Sequence, residues 1–176
     1  NERLSIMRDP AFKQKILNES PSFREDLQKA AKEQKSNKTK EEIKAEAEIG
    51  KKLISNYETQ FILSDPPNYE PTREDSIAYL AEQRNQSEEE VIYDELIKDD
   101  GKSLIYACFT PYENHKLKFV ETFYKLKSSV AGGSDGGAHC GLICDASMPT
   151  TNLSHWARDR SAGNKIPLEL IIRKQT

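Results

Sequence analysis

Apolar positions are unevenly spread along this chain, and their spacing divides it. Asp9-Pro10 opens a first segment with proline where a first helical turn tolerates it. Phe12, Ile16 and Leu17 then recur at helical spacing. Ser20-Pro21-Ser22 breaks that segment, and Ser22-Phe23-Arg24-Glu25 has the form of a capping box. From Phe23 to Gly50 the strong apolar anchors thin out to Phe23, Leu27, Ile43 and Ile49, with none between Glu33 and Glu42. Lys and Glu at three- and four-residue spacing favour helix there. That middle reads either as a solvated helix or as a flexible connection. Residues 1–58 are therefore expected to form a charged, helical segment.

The pattern changes at Gln60-Phe61-Ile62-Leu63-Ser64, a short apolar run that predicts a strand stopped by Asp65-Pro66-Pro67. Thr72-Arg73-Glu74-Asp75 looks like a cap with acids in the first turn, ahead of a helix carrying Ile77, Leu80 and Ala81 inward. Ser87-Glu88-Glu89-Glu90 opens another with Val91, Ile92, Leu96 and Ile97, and Asp99-Asp100-Gly101 ends it. Ser103 to Phe109 is the longest near-continuous apolar run and predicts a buried strand. Leu117, Val120, Phe123, Tyr124 and Leu126 set a helix within 114–127. Ser128-Ser129-Val130-Ala131 then reads as a short strand leading into a glycine-rich stretch. Helices are expected over 150–160 and 167–174. Strand, helix, strand and glycine loop in that order give an αβ alternation, so the fold class is α/β.

Composition adds limits. Hydrophobic residues make up 36% and charged residues 31% of 176, which points to a soluble protein with much exposed helix. A net charge of -3 with no long basic face gives no reason to expect nucleic acid. No run approaches the roughly 20 apolar residues of a membrane span. The polar start, Asn1-Glu2-Arg3, has neither a leader nor a Met, and the expectation is an internal piece of a larger product. Three cysteines are an odd number, so reduced thiols in the cytoplasm are expected. Thr72 to Asp100 holds ten acids against three bases, read as a solvated face.

Candidate chemistry concentrates in Gly132-Gly133-Ser134-Asp135-Gly136-Gly137-Ala138-His139. Four of the chain's eight glycines fall within six residues here and flank one acid. Glycine lets backbone turn tightly or pass close to a ligand. A carboxylate fixed at a strand end, Asp135, can bind a divalent cation or accept a proton from metal-bound water. His139, four residues on, can polarise a carbonyl, support a metal or pack structurally. The structural alternative for Asp135 is a turn residue capping backbone amides. A phosphate loop is excluded, because no Lys-Ser/Thr follows the glycines. A zinc site from His139, Cys140, Cys144 and His155 exists in composition only, since its spacing matches no familiar finger or ribbon. A Cys-His nucleophile pair has no support beyond the presence of both residue types.

Gly133 to His139, then Gly141-Leu142-Ile143-Cys144-Asp145-Ala146-Ser147, Pro149-Thr150 and His155-Trp156-Ala157-Arg158-Asp159-Arg160 together resemble the N-acyl-D-amino-acid deacylase (D-aminoacylase) branch of the amidohydrolase superfamily. Asp65-Pro66-Pro67-Asn68-Tyr69-Glu70-Pro71, Tyr93-Asp94-Glu95-Leu96 and Pro167-Leu168-Glu169 are similar to the same branch. The resemblance runs over about 60–176, and more loosely from Arg8-Asp9-Pro10-Ala11-Phe12. It implies a zinc-dependent hydrolase of N-acyl-D-amino acids on a distorted (β/α)8 barrel, with residues 59–176 as a partial barrel segment and about 68–100 as a helical insertion. Asp135 then corresponds to the catalytic and metal-site carboxylate after the last barrel strand. Ser134, Gly136 and His139 correspond to the substrate pocket.

The family's early His-x-His pair and its two later single histidines are not here. His115 precedes the glycine stretch, but its surroundings do not match. The chain is thus expected to hold at most three of eight barrel strands and to be inactive alone. Its unpaired sheet edges would favour self-association. A helical, non-enzymatic interaction or regulatory domain is the competing expectation.

Overall fold

The computed structural model describes residues 2–19, 39, 41–42, 45, 48, 55–108, 112, 114–132, 134 and 146–176. They fall into two compact units, 1–109 and 110–176.

Unit 1 begins with α1 (Glu2–Met7) and α2 (Pro10–Leu17). The Asp9 carboxylate accepts from the Ala11 amide at 3.0 Å, with Pro10 at the first helical position, so this start follows the sequence code. The predicted Ser22 capping box and the anchors Phe23, Leu27, Ile43 and Ile49 lie outside the described residues. Glu41, Glu42, Ala45 and Glu48 are helical. A reciprocal cap precedes them: the Thr39 amide donates to Glu42 Oε2 at 2.6 Å, and the Glu42 amide donates to Thr39 Oγ1 at 3.2 Å.

Two short strands follow, β1 (Gln60–Ile62) and β2 (Ile105–Ala107), paired antiparallel with Phe61 opposite Tyr106. Between them lie α3 (Ile77–Arg84) and α4 (Glu88–Leu96), capped by the Ser76 and Ser87 hydroxyls. Thr72 and Asp75, expected to cap the helix that carries Ile77, form a capping box around a single 3-10 turn over Arg73–Asp75 instead. The helix itself starts one cap later because Ser76 also bridges Phe61. Ile77, Ala81 and Val91 pack with Tyr57, Ile62, Leu80 and Ile105 as the core of this unit. The Tyr93 hydroxyl donates to Met7 O at 2.8 Å, and Lys13 reaches Glu90 and Asp94, each at 2.8 Å, which ties the first helices to α4.

Unit 2 contains α5 (Lys118–Lys125), α6 (Met148–Thr151) running on as a π-helix over Asn152–Asp159, and α7 (Leu168–Gln175). Tyr124, Trp156, Ile166 and Ile171 form its core. Helix α5 starts four residues later than the spacing predicts, since Asn114 and His115 are both left-handed (φ 50° and 54°) and cannot open a right-handed helix.

Two strand expectations need correction. Residues 128–131 form no strand: Val130 is 84% exposed, and the Ala131 amide donates to the carbonyl of Lys174 in α7 at 2.9 Å. Its β-prone residues have a helix end as hydrogen-bond partner, not a strand. The strands at Phe61 and Ile105 are real, but they pair antiparallel with each other. The described residues are thus helix-rich with one two-stranded sheet, and among them no arc of parallel strands is present.

Candidate functional site

In unit 2 the chain leaves α5 and runs through Leu126–Gly132 toward the glycine stretch. Lys174 holds this lead-in. Its ammonium, only 8% exposed as a residue, donates to Leu126 O, to Ser129 O at 2.6 Å and to Ser129 Oγ at 3.0 Å. Three donors meet three oxygens, so the buried charge is solvated by the protein itself.

Beside the lead-in lies a groove of about 390 Å³. Leu117, Val120, Tyr124, Met148 and Trp156 supply apolar walls, and Val130 to Gly132 also line it. Asn152, four residues before Trp156 in the π-helix, adds a polar side chain. π-Helical turns are rare and recur at functional sites. Here the Arg160 amide donates back to His155 O at 2.8 Å, the five-residue step of that helix.

One wall is braced by a buried polar cluster. Arg160 lies with its guanidinium carbon 4.5 Å from the Trp156 ring centroid, and donates to Glu121 Oε2 at 3.1 Å and Asn164 O at 2.6 Å. Lys125 and Asn164 donate to Glu121 Oε1 at 2.6 and 3.1 Å. Those hydrogen bonds, from Lys125 first, then Asn164 and Arg160, hold the Glu121 carboxyl down at about 2 against the opposing effect of burial. Trp156 is therefore fixed by stacking from one side and by Tyr124, 5.5 Å away between centroids, from another.

Of the residues expected to form a site, Ser134 is described and half-buried, two residues beyond Gly132. Asp135, Gly136 and His139 lie outside the described residues, as do Cys140 and Cys144. His155 is in the π-helix with its ring edge-on to Trp156 (5.4 Å, 85°), and His115 is edge-on to Tyr112. Among the described residues no three His, Cys, Asp or Glu side chains come together as a metal site. Spacing singled out neither Asn152 nor the Glu121–Arg160 pair, although Arg160 stands at the end of the motif that carries the family resemblance.

Unit 1 has a larger recess of about 590 Å³ beside Ser64, Asp65, Glu95, Lys98 and Lys102. Its buried carboxylate is already engaged: Glu95 Oε1 takes Arg84 at 2.6 Å and Lys98 at 2.7 Å. Burial alone would raise this carboxyl, yet the two cations hold it below the usual range. It serves the fold, and the groove of unit 2 is the better candidate site.

Among the described residues no helix is long and apolar enough to cross a membrane. No protein-family model, curated protein or solved structure matches the chain.

Proposed function

We propose that this chain is a segment of a metal-dependent amidohydrolase that cleaves the amide bond of N-acyl-D-amino acids, a partial (β/α)8 barrel resembling D-aminoacylase, with Asp135 as its catalytic carboxylate. The reading is supported by the ordered motif from Gly133 to Arg160. One observation carries it into the structure: Gly132 lines an apolar groove, and Asp135 is three residues further along the chain.

The parent reaction uses zinc, which by the resemblance supplies an activated water. The residues of this chain do not fit a complete zinc shell. The sequence has three histidines and no His-x-His pair, and the described residues bring no ligand set together. The chemistry assigned to this chain is proton transfer at Asp135. Its carboxylate accepts the proton of the attacking water as the carbon–oxygen bond forms. It then delivers that proton to the leaving nitrogen as the carbon–nitrogen bond breaks, giving a carboxylate and a free D-amino acid. The partner is a small-molecule N-acyl amino acid, and a reducing cytoplasm suits the odd number of thiols. Phe119, Phe123 and Val130, all exposed, support self-association.

The isolated chain is expected to show no hydrolysis of N-acetyl-D-leucine with added zinc; turnover removed by Asp135→Asn would overturn its assignment as an incomplete segment. In a polypeptide that joins this chain to a segment with the His-x-His pair and the two later histidines, Asp135→Asn should lower kcat by roughly 10²–10⁴-fold. An unchanged kcat would remove Asp135 from the mechanism.

A further inference from the structure

We infer that the outward face of α5, with the residues beside it, is a docking surface for an anionic lipid membrane, on which the chain lies without crossing it. The inference is independent of the reading of Asp135.

Helix α5 is apolar on two sides. Val120 and Tyr124 belong to the core of unit 2. Phe119 and Phe123, each one position earlier, stay exposed, and their rings meet 4.5 Å apart between centroids. A surface helix ordinarily gives its outward side to polar residues. The apolar surface continues past the helix. Leu126 is exposed, and the exposed Val130 lines the same groove as Phe123. Contiguous exposed apolar surface of this kind marks an interaction site.

Charge decides what covers it. From Asn114 to Val130 the sequence holds four lysines and one acid. That acid, Glu121, is turned inward to Arg160 and Lys125. Lys118 and Lys127 are exposed, and α7 adds the exposed Arg173, which lines one recess with Lys127 and Val130. Among the described residues no carboxylate pairs with these three cations. Two copies meeting face to face here would set like charges against each other. An anionic lipid surface attracts every one of them, at roughly fivefold in affinity for each Lys or Arg near it. The long Lys and Arg stems keep their charges among the headgroups while the aromatic rings enter the acyl boundary.

The full chain is sedimented with vesicles of phosphatidylcholine and phosphatidylserine, and with vesicles of phosphatidylcholine alone. Saturable binding is expected for the first, and at least about 20-fold weaker binding for the second, given the three cations. Phe119→Ser with Phe123→Ser should weaken the phosphatidylserine binding roughly tenfold or more, through the lost apolar insertion. Lys118→Glu with Arg173→Glu should remove the preference for phosphatidylserine. All four side chains are exposed, and unchanged Trp156 emission checks that each variant folds. The charge variant keeps the test decisive if the phenylalanine variant does not fold.

No vesicle binding, or equal binding to both vesicles, overturns the proposal. Phosphatidylserine binding that survives the loss of both phenylalanines also overturns it, since charge alone would then act, as it would toward any acidic protein. A dimer that dissociates on Phe119→Ser, with no vesicle binding, would give the face to a second copy instead. None of these readouts involves turnover, so failure of the Asp135→Asn activity test leaves this result standing.

Discussion

Arg160 and Glu121, thirty-nine positions apart, form a buried ion pair, Nη1 to Oε2 at 3.1 Å, with the Arg160 side chain only 2% exposed. Removing one partner of such a pair strands the other charge away from water, which costs about 3–5 kcal/mol. Glu121→Ala should therefore lower the unfolding free energy of unit 2 by that amount. Urea titration followed by Trp156 emission measures it, because Arg160 stacks on that ring. A loss below about 1 kcal/mol would show that water or Asn164 takes over Arg160's charge.

The same carboxylate sets an acid limit. Glu121 is held at about 2 in the folded chain, below its ordinary 4.5. The unfolded chain thus takes up the proton first as pH falls. The stabilisation is fully present above about 4.5 and is lost as pH drops through the interval to about 2. A thermal melt of the wild-type chain should lose midpoint steadily across that interval. Glu121→Gln, which cannot titrate, should start lower and show a shallower slope there.

Local code was legible where neighbours decide the structure. Asp9 and Ser87 cap backbone where the sequence says they should, because each bond closes within three residues. Choices made by distant residues were not legible. Ser76 and Thr72 are equally good caps on paper, and the bridge from Ser76 to Phe61 decides between them. Val130 carries strand propensity, but a strand needs a neighbour, and Ala131 has the carbonyl of Lys174 for one. At the site, the sequence pointed to the glycine stretch and to Asp135. It could not show that Asn152 and Trp156 share a groove with Gly132, because they lie twenty or more positions away and a π-helix brings them there.

Gly163 and Gly132 should respond oppositely to alanine. A Cβ at Gly163 would sit 2.5 Å from Arg160 Nη2 and 2.8 Å from its Cζ. A free arginine would swing away, but this one is pinned by Glu121, Asn164 O and the Trp156 ring. Gly163→Ala is expected to cost about 1–3 kcal/mol through that overlap. Gly132→Ala meets open space and should be neutral, or stabilising by up to about 1 kcal/mol through the unfolded chain. Equal effects in denaturant titrations of the two variants would mean that Arg160 is free to move.

Lys174→Met tests whether the lead-in to the glycine stretch is held from α7. Methionine keeps the length and apolar character of the stem but removes all three donors, leaving Leu126 O, Ser129 O and Ser129 Oγ without the ammonium. Each oxygen that water cannot reach loses a charge-assisted bond, so the whole change should cost about 1–3 kcal/mol. The loss should also be local. The Ala131 amide, bonded to the backbone carbonyl of Lys174 at 2.9 Å, should exchange with solvent hydrogen faster by roughly tenfold or more, while the amides of α5 keep their protection. Because Gly132 follows Ala131 directly and lines the groove, that loosening would reach the edge of the groove. Uniformly faster exchange across unit 2 would instead make Lys174 a general stabiliser with no particular hold on this segment.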